Sequence, residues 1–147
     1  MAAEAAIETT EAILVRGTIV SKHPIDTERT LWTIRLQMPP GGGLPFWTNP
    51  GLTVIYVESG AIGFTAVTGN VWLTSGTESI VKERAFTGAE YLLKPGDTAS
   101  FGPSAQQSIR NPITRPSIFM LTMVTPKGAT PYDGLTTSEG YPIVFAE

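Results

Sequence analysis

The sequence predicts an all-β fold, and three observations carry that expectation. Short runs rich in β-branched and aromatic residues recur along the chain. Gly and Pro turn signals separate them at regular intervals. No stretch shows the 3.6-residue periodicity of a long amphipathic helix. Composition agrees. Charged residues are 16 % of the 147, against roughly 25 % in an average soluble domain. Fifteen Gly and twelve Pro punctuate the chain, and both residues interrupt regular elements.

The elements follow in order. Residues 1–12 are rich in Ala and Glu and read as an N-terminal arm, either a short helix or loose chain. The β domain is expected over 13–126. ILVRGTIV (13–20) opens it. TLWTIRLQM (30–38) alternates cleanly, with Trp32, Ile34, Leu36 and Met38 on one face and Leu31, Thr33, Arg35 and Gln37 on the other. A period of two is what a sheet with unlike faces requires. PPGGG (39–43) breaks the pattern, because Pro lacks a ladder donor and Gly loosens the backbone. LTVIYVES (52–59) and AIGFTAV (61–67) come next. TGN (68–70) then reads as a hairpin turn leading to VWLT (71–74). SIVKERAF (79–86) and AEYLL (89–93) are further short strands. KPGD (94–97) is a turn, followed by TASF (98–101), a Gly-Pro turn, QSIRN (107–111) and the long apolar strand SIFMLTMVT (117–125). A C-terminal tail covers 127–147, with an apolar patch from Tyr141 to Phe145. Many short strands of this kind fit a sandwich or barrel.

Several function classes are disfavoured by the same reading. The net charge is −3 and basic residues are scattered, so no stripe for nucleic acid or an anionic membrane is expected. No apolar run approaches the ~20 residues of a membrane-spanning helix. The first residues lack the basic and apolar regions of a secretion signal. The chain has no cysteine, which removes disulfides and thiolate chemistry. A cytoplasmic location is expected from these features.

Two stretches then become specific. In KPGDTASFGPSAQQSIRN, Pro95, Gly96, Asp97 and Asn111 match a Pro-Gly-Asp turn followed by a strand, a second turn and His-x-x-x-Asn. In PPGGGLPFWTNPGLTVIYVESG, Pro50, Gly51, Tyr56, Val57 and Gly60 match a His-x-His-Pro-Gly pattern that continues through a Glu to Tyr-Val and Gly. These stretches resemble the second and first motifs of the cupin superfamily, in the right order, over about residues 30–126. The resemblance implies a double-stranded β-helix, a jelly-roll barrel with a pocket in its mouth. The longer stretch between the motifs implies one extra hairpin around 70–86. Members often form homodimers by exchanging edge strands, which also hides sheet edges, so a homodimer is expected.

Most cupin enzymes hold iron, manganese, nickel or zinc on three His and one Glu. Here those positions fall on Trp47, Asn49, Thr53 and Gln107. Indole is not a ligand for such ions, and amide and hydroxyl oxygens are weak neutral ones. No metal and no cofactor are therefore expected. Asn49 and Gln107 can each donate and accept, and Trp47 offers a stacking face and one N–H. Together they would suit a neutral, oxygenated or planar ligand. The alternative is that they close the former metal cavity by ordinary packing.

Other residues carry less. His23, the lone histidine, precedes Pro24 far from both motifs and reads as an exposed loop residue. Asp97 reads as a turn residue whose short acceptor ties backbone N–H groups. Glu58 has the opposite strand parity to Thr53 and should point away from the pocket. Arg35 would hold a ligand carboxylate if its face lined the barrel, and would be a surface residue if it faced water. Either Phe119, Leu121 and Met123 or Ile118, Met120 and Thr122 supply apolar wall, and parity alone does not choose. Tyr56, Trp72, Phe101, Phe119, Met120 and Met123 read as core or interface. Gly41 to Gly43 lack the Lys and strand–helix context of a phosphate loop.

The function expected is binding of a small, mostly apolar organic molecule in the barrel mouth. Trp47, Asn49, Thr53, Gln107 and Arg35 are the candidate contacts, and no catalytic residue is assigned. A metal-independent isomerase or cyclase using the same pocket is one alternative. A structural or assembly protein with a filled barrel is another.

Overall fold

The computed structural model describes residues 15–76, 82–130 and 144–146. The expected arm at 1–12, the first residues of the 79–86 run and most of the tail lie outside the described residues. Among the described residues every regular element is a strand, twelve in all. Eight form one sheet, ordered β12-β1-β2-β11-β4-β9-β6-β7, and four form the other, ordered β3-β10-β5-β8. The strands are β1 (Arg16–Pro24), β2 (Arg29–Met38), β3 (Gly43–Thr48), β4 (Leu52–Ser59), β5 (Ile62–Thr68), β6 (Val71–Thr74), β7 (Lys82–Arg84), β8 (Glu90–Leu93), β9 (Thr98–Phe101), β10 (Gln106–Arg110), β11 (Ser117–Pro126) and β12 (Val144–Ala146).

From β2 to β6, and again from β8 to β11, the chain changes sheet at every turn. This corrects the reading of TGN (68–70) as a hairpin turn. β5 lies in the small sheet and β6 in the large one, where β6 pairs with β9 and β7 instead. The expected hairpin around 70–86 is formed by β6 and β7, which set Trp72 opposite Arg84. Turns that carry a chain between sheets need sharp, well-fixed backbone, and the Pro-Gly-Asp turn shows how it is fixed. Gly96 has φ of 93°, a conformation costly for residues with a Cβ. Asp97 accepts from the backbone N–H groups of Lys94 at 2.9 Å and Gly76 at 2.8 Å. Its structural assignment fits these bonds.

Alternation decides what lies inside. On β2, Trp32, Ile34, Leu36 and Met38 are buried, as their shared face predicts. On β11 the inner residues are Phe119, Leu121 and Met123, which settles the choice that parity left open. Ile55 and Val57 join them from the large sheet, and Leu44, Phe64 and Ile109 face them from the small one. Each such side chain contributes roughly 1.5–3 kcal/mol on burial, so this apolar cluster is a main source of stability. Phe64 and Phe101 meet across the sheets with ring centroids 6.1 Å apart.

Two strands depart from expectation. β3 begins at the last residue of the stretch that reads as a break (39–43) and contains Pro45; it is an edge strand, where a missing donor is tolerated. β12 comes from the expected tail and pairs in parallel with β1, Arg16 lying opposite Val144. The large sheet therefore extends beyond the boundary drawn at 126.

Candidate functional site

The candidate residues meet at one end of the barrel because two connections lie there. Residues 49–51 join β3 to β4, and residues 102–105 join β9 to β10. The starts of β4 and β10 therefore share an end, and Thr53 and Gln107 approach it from opposite sheets. On the large sheet, strand pairing sets Trp32, Met123, Thr53 and Phe101 in one inward-facing row. On the small sheet, Gln107 faces inward between Ala66 of β5 and the backbone of Trp47 on β3.

Asn49 and Thr53 are joined directly. The Asn49 amide donates to Thr53 Oγ1 at 2.7 Å, and the Thr53 hydroxyl donates to the Gly51 carbonyl at 3.0 Å. Gly51 is required for a spatial reason, since a Cβ there would lie 1.5 Å from the Val124 carbonyl oxygen. The Pro50-Gly51 turn is thus pressed onto β11, and that contact holds Asn49 over Thr53. The Trp47 side chain lies outside the described residues.

Gln107 is different. Its side chain is fully buried, and among the described residues neither Oε1 nor Nε2 has a hydrogen-bond partner. Buried amides are almost always satisfied, and each orphaned polar group costs roughly 1–3 kcal/mol.

Arg35 is a correction to the expected site. It lies on the outer face of β2 and donates to Glu58 at 3.0 Å, half its side chain exposed. Strand alternation forces this: the neighbours Ile34 and Leu36 face inward, so Arg35 cannot. Glu58 points outward as its parity predicts. His23 is exposed near the end of β1. Of the six residues expected in core or interface, Phe101, Phe119 and Met123 are buried, Met120 is half-buried, and Tyr56 and Trp72 are exposed on the outside of the large sheet.

Two inner residues at this end were not among the candidates. The Trp32 indole donates to Thr125 Oγ1 at 2.8 Å, and the Lys22 ammonium stands 5.0 Å from the Trp32 ring centre. The sequence signal for Trp32 was its parity with Ile34 and Leu36, but placing it beside Thr53 requires the strand register.

No protein-family model matches the sequence, and no curated protein matches it. Similar solved structures exist. One is a cupin 2 domain-containing protein from Halorhodospira halophila, 14 % identical over 80 % of this chain and 71 % of that one, with a TM-score of 0.53. Another is an uncharacterised conserved protein with a double-stranded β-helix domain from Klebsiella pneumoniae, 19 % identical over 76 % of each chain, with a TM-score of 0.50. A cupin superfamily protein from Desulfitobacterium hafniense is 10 % identical over 76 % of this chain and 77 % of that one, also at 0.50. The chain has the cupin fold.

At these identities the likeness is one of fold, and a cupin fold hosts many activities. The fold raises the question of a metal, and the interior of this barrel fits one poorly. Thr53 Oγ1 already accepts from Asn49 and donates to Gly51. Gln107 offers one neutral oxygen, where divalent ions favour imidazole or carboxylate. No group of three His, Asp or Glu side chains is placed to hold an ion among the described residues. The buried polar side chains there are Asn49, Thr53, Gln107, Asn111, Ser117 and Thr125, all neutral. No described helix is long and apolar enough to cross a membrane.

Asn111 and Ser117 have architectural work at the other end of the barrel. Asn111 donates to the carbonyls of Met38 and Arg115 at 2.9 and 2.8 Å and accepts from Ile113 N–H at 3.1 Å. Ser117 accepts from Ala61 N–H and donates to the Ala61 carbonyl. The cupin-like positions Gly51, Gly96, Asp97 and Asn111 thus hold turns.

Proposed function

We propose that this cupin-fold chain binds a small, uncharged organic molecule at the polar end of its barrel, with no metal taking part. The observation that carries the reading is the Gln107 side chain, whose amide oxygen and nitrogen are both buried without a partner among the described residues. A donor and an acceptor held side by side suit a ligand group of the same kind, such as an amide or lactam edge. The buried polar side chains at this end are neutral, which favours an uncharged partner, because a buried charge without a counter-charge is costly. Trp32 and Met123, in the row beside Thr53, supply apolar surface. The buried polar set contains no acid or base, so recognition is better supported than proton-shuttling catalysis.

Access requires movement. Gln107 and Thr53 are closed from solvent and Asn49 is nearly so. In this reading the 49–51 connection, which carries Asn49, shifts when the ligand enters. The same closure supports a second reading, in which the barrel is filled and serves as a building block in an assembly.

Titration of 15N-labelled protein with 2-pyridone, a neutral ring with adjacent C=O and N–H, separates the two. Binding predicts shifts in the Gln107 side-chain NH2 signals and in the backbone amide signals of Thr53 and Ala66, and the backbone shifts should be lost in the Asn49→Leu/Gln107→Leu double variant. No shift at millimolar 2-pyridone, or equal binding by the double variant, refutes the site and favours the filled barrel.

A further inference from the structure

A ligand at the polar end of the barrel needs room. Gln107, Thr53 and Met123 are each closed from solvent, and a close-packed interior admits a molecule only where a side chain gives way. A row of directly opposed residues crosses the large sheet here: Lys22 on β1, Trp32 on β2, Met123 on β11, Thr53 on β4 and Phe101 on β9.

Most of this row is held in place. The Trp32 N–H is tied to Thr125 at 2.8 Å, and the Lys22 ammonium stands 5.0 Å from the ring centre. Thr53 is bonded to Asn49 and Gly51. Phe101 meets Phe64 of the opposite sheet. Met123 has no polar partner among the described residues. Its side chain is unbranched, with three rotatable bonds, and such thioethers repack readily. The movable connection also bears on it. Gly51 lies against the carbonyl of Val124, the next residue of β11. A shift of 49–51 therefore frees the strand at Met123 as it uncovers Thr53.

Trp32 supplies a fixed, flat wall. Lys22 flanks it on the β1 side and Met123 on the β11 side, so the place of Met123 lies between the indole and Thr53. On the small sheet, the β5 neighbour of Gln107 is Ala66, whose side chain ends at Cβ and leaves space beside the amide.

Resting on the binding reading above, we infer that Met123 is a plug whose displacement opens a slot between Trp32 and Thr53, and that the slot selects flat, aromatic lactams over puckered ones. The indole stacks on the planar ring, and the C=O and N–H edge of that ring meets the Gln107 amide. The amide recognises the edge, and the indole and the plug select the shape.

2-Pyridone and 2-piperidone test it, because they present the same edge on a flat and on a puckered ring. In the full chain carrying 13C-methyl methionine, the Met123 signal should move as 2-pyridone binds. Met38, at the other end of the barrel, and Met120, on the outer face, should not respond. 2-Piperidone should bind about fivefold or more weakly, having lost the stacking. Variant affinities are read from the backbone amides of Thr53 and Ala66. Affinity scales with the fraction of molecules whose slot is open, so Met123→Ala, open permanently, should bind 2-pyridone about tenfold or more tightly. Met123→Ile keeps the volume but stiffens the side chain at Cβ, and should bind about tenfold or more weakly. Met38→Ile, the same change at the far end, should leave affinity unaltered.

A Met123 methyl unmoved by bound 2-pyridone overturns the plug. So does Met123→Ile binding as well as the unsubstituted chain, Met123→Ala binding no better, or Met38→Ile losing as much as Met123→Ile. Equal affinity for 2-piperidone overturns the flat slot. In each of these cases the lactam site itself stands. No shift at Thr53 or Ala66 in the unsubstituted chain refutes that site, and the plug with it.

Discussion

Glu90 on β8 and Arg110 on β10 grip each other across the strand that separates them. Their closest contact is 2.6 Å, and a second bond of 2.7 Å makes the pair bidentate. β5 runs between them and carries Gly63 at that point, paired with both Leu92 and Arg110. A Cβ at Gly63 would lie 2.8 Å from a Glu90 carboxylate oxygen, so the glycine leaves room for the bridge. The pair spans the small sheet on its outer face.

This bridge predicts a pH dependence. The hydrogen bond from Arg110 is the main cause holding the Glu90 carboxyl below its ordinary 4.5; the charge of Arg110 adds to it and partial burial opposes it. A group with a lowered folded value stabilises above its unfolded value, and that contribution disappears as pH falls through the folded value. Glu90→Gln should therefore be less stable than the unsubstituted chain at about pH 7, and the gap should close toward about pH 3. Urea unfolding at both pH values measures it. In a Gly63→Ala background the gap at neutral pH should shrink, because the added methyl displaces the carboxylate.

Gly51→Ala should be among the most damaging single changes. The new Cβ would meet the Val124 carbonyl at 1.5 Å, and backbone on both sides must move to admit it. A loss above about 3 kcal/mol is expected, read by urea unfolding. A variant of near-normal stability would show that the 49–51 connection is not pressed onto β11.

Asn111→Ala should cost about 2–3 kcal/mol, because it strands the buried carbonyl of Met38 and releases the Arg115 and Ile113 backbone. Asn111→Asp should recover little, since a carboxylate cannot donate to either carbonyl. Thermal unfolding of the two variants checks both statements.

Thr125→Val removes the acceptor of the Trp32 indole and leaves its N–H without that bond. A loss of about 1–2 kcal/mol is expected, with the middle of the barrel undisturbed because the two side chains have similar volume. Urea unfolding followed by tryptophan emission gives the value.

The sequence made some of this legible, for identifiable reasons. The runs 52–59, 71–74 and 98–101 coincide with β4, β6 and β9 because alternation and turn residues are local signals. β3 escaped notice because it starts at Gly43, the last residue of the PPGGG break (39–43), and Pro45 interrupts the run that follows. The strand tolerates them at a sheet edge, where its ladder shifts register opposite Ser108. β12 and its pairing to β1 are non-local, and an apolar patch near the C-terminus does not name its partner. At the site, the motifs located Asn49, Thr53 and Gln107, but only the register added Trp32. The Arg35 side chain needed a choice between two faces, and the Glu58 contact makes it. That Gln107 lacks partners among the described residues is a property of its surroundings, invisible in any run of residues.

The proposed binding role rests on that amide. If the fold leaves Gln107 unsatisfied and ligand binding supplies the bonds, the side chain costs stability in the free protein. Urea unfolding of Gln107→Leu without ligand is the direct measurement. Leu fills a similar volume without polar atoms, so the variant should be about 1–3 kcal/mol more stable than the unsubstituted chain. A variant less stable than the unsubstituted chain would mean that the barrel itself already satisfies Gln107, and the proposed binding role would lose its basis.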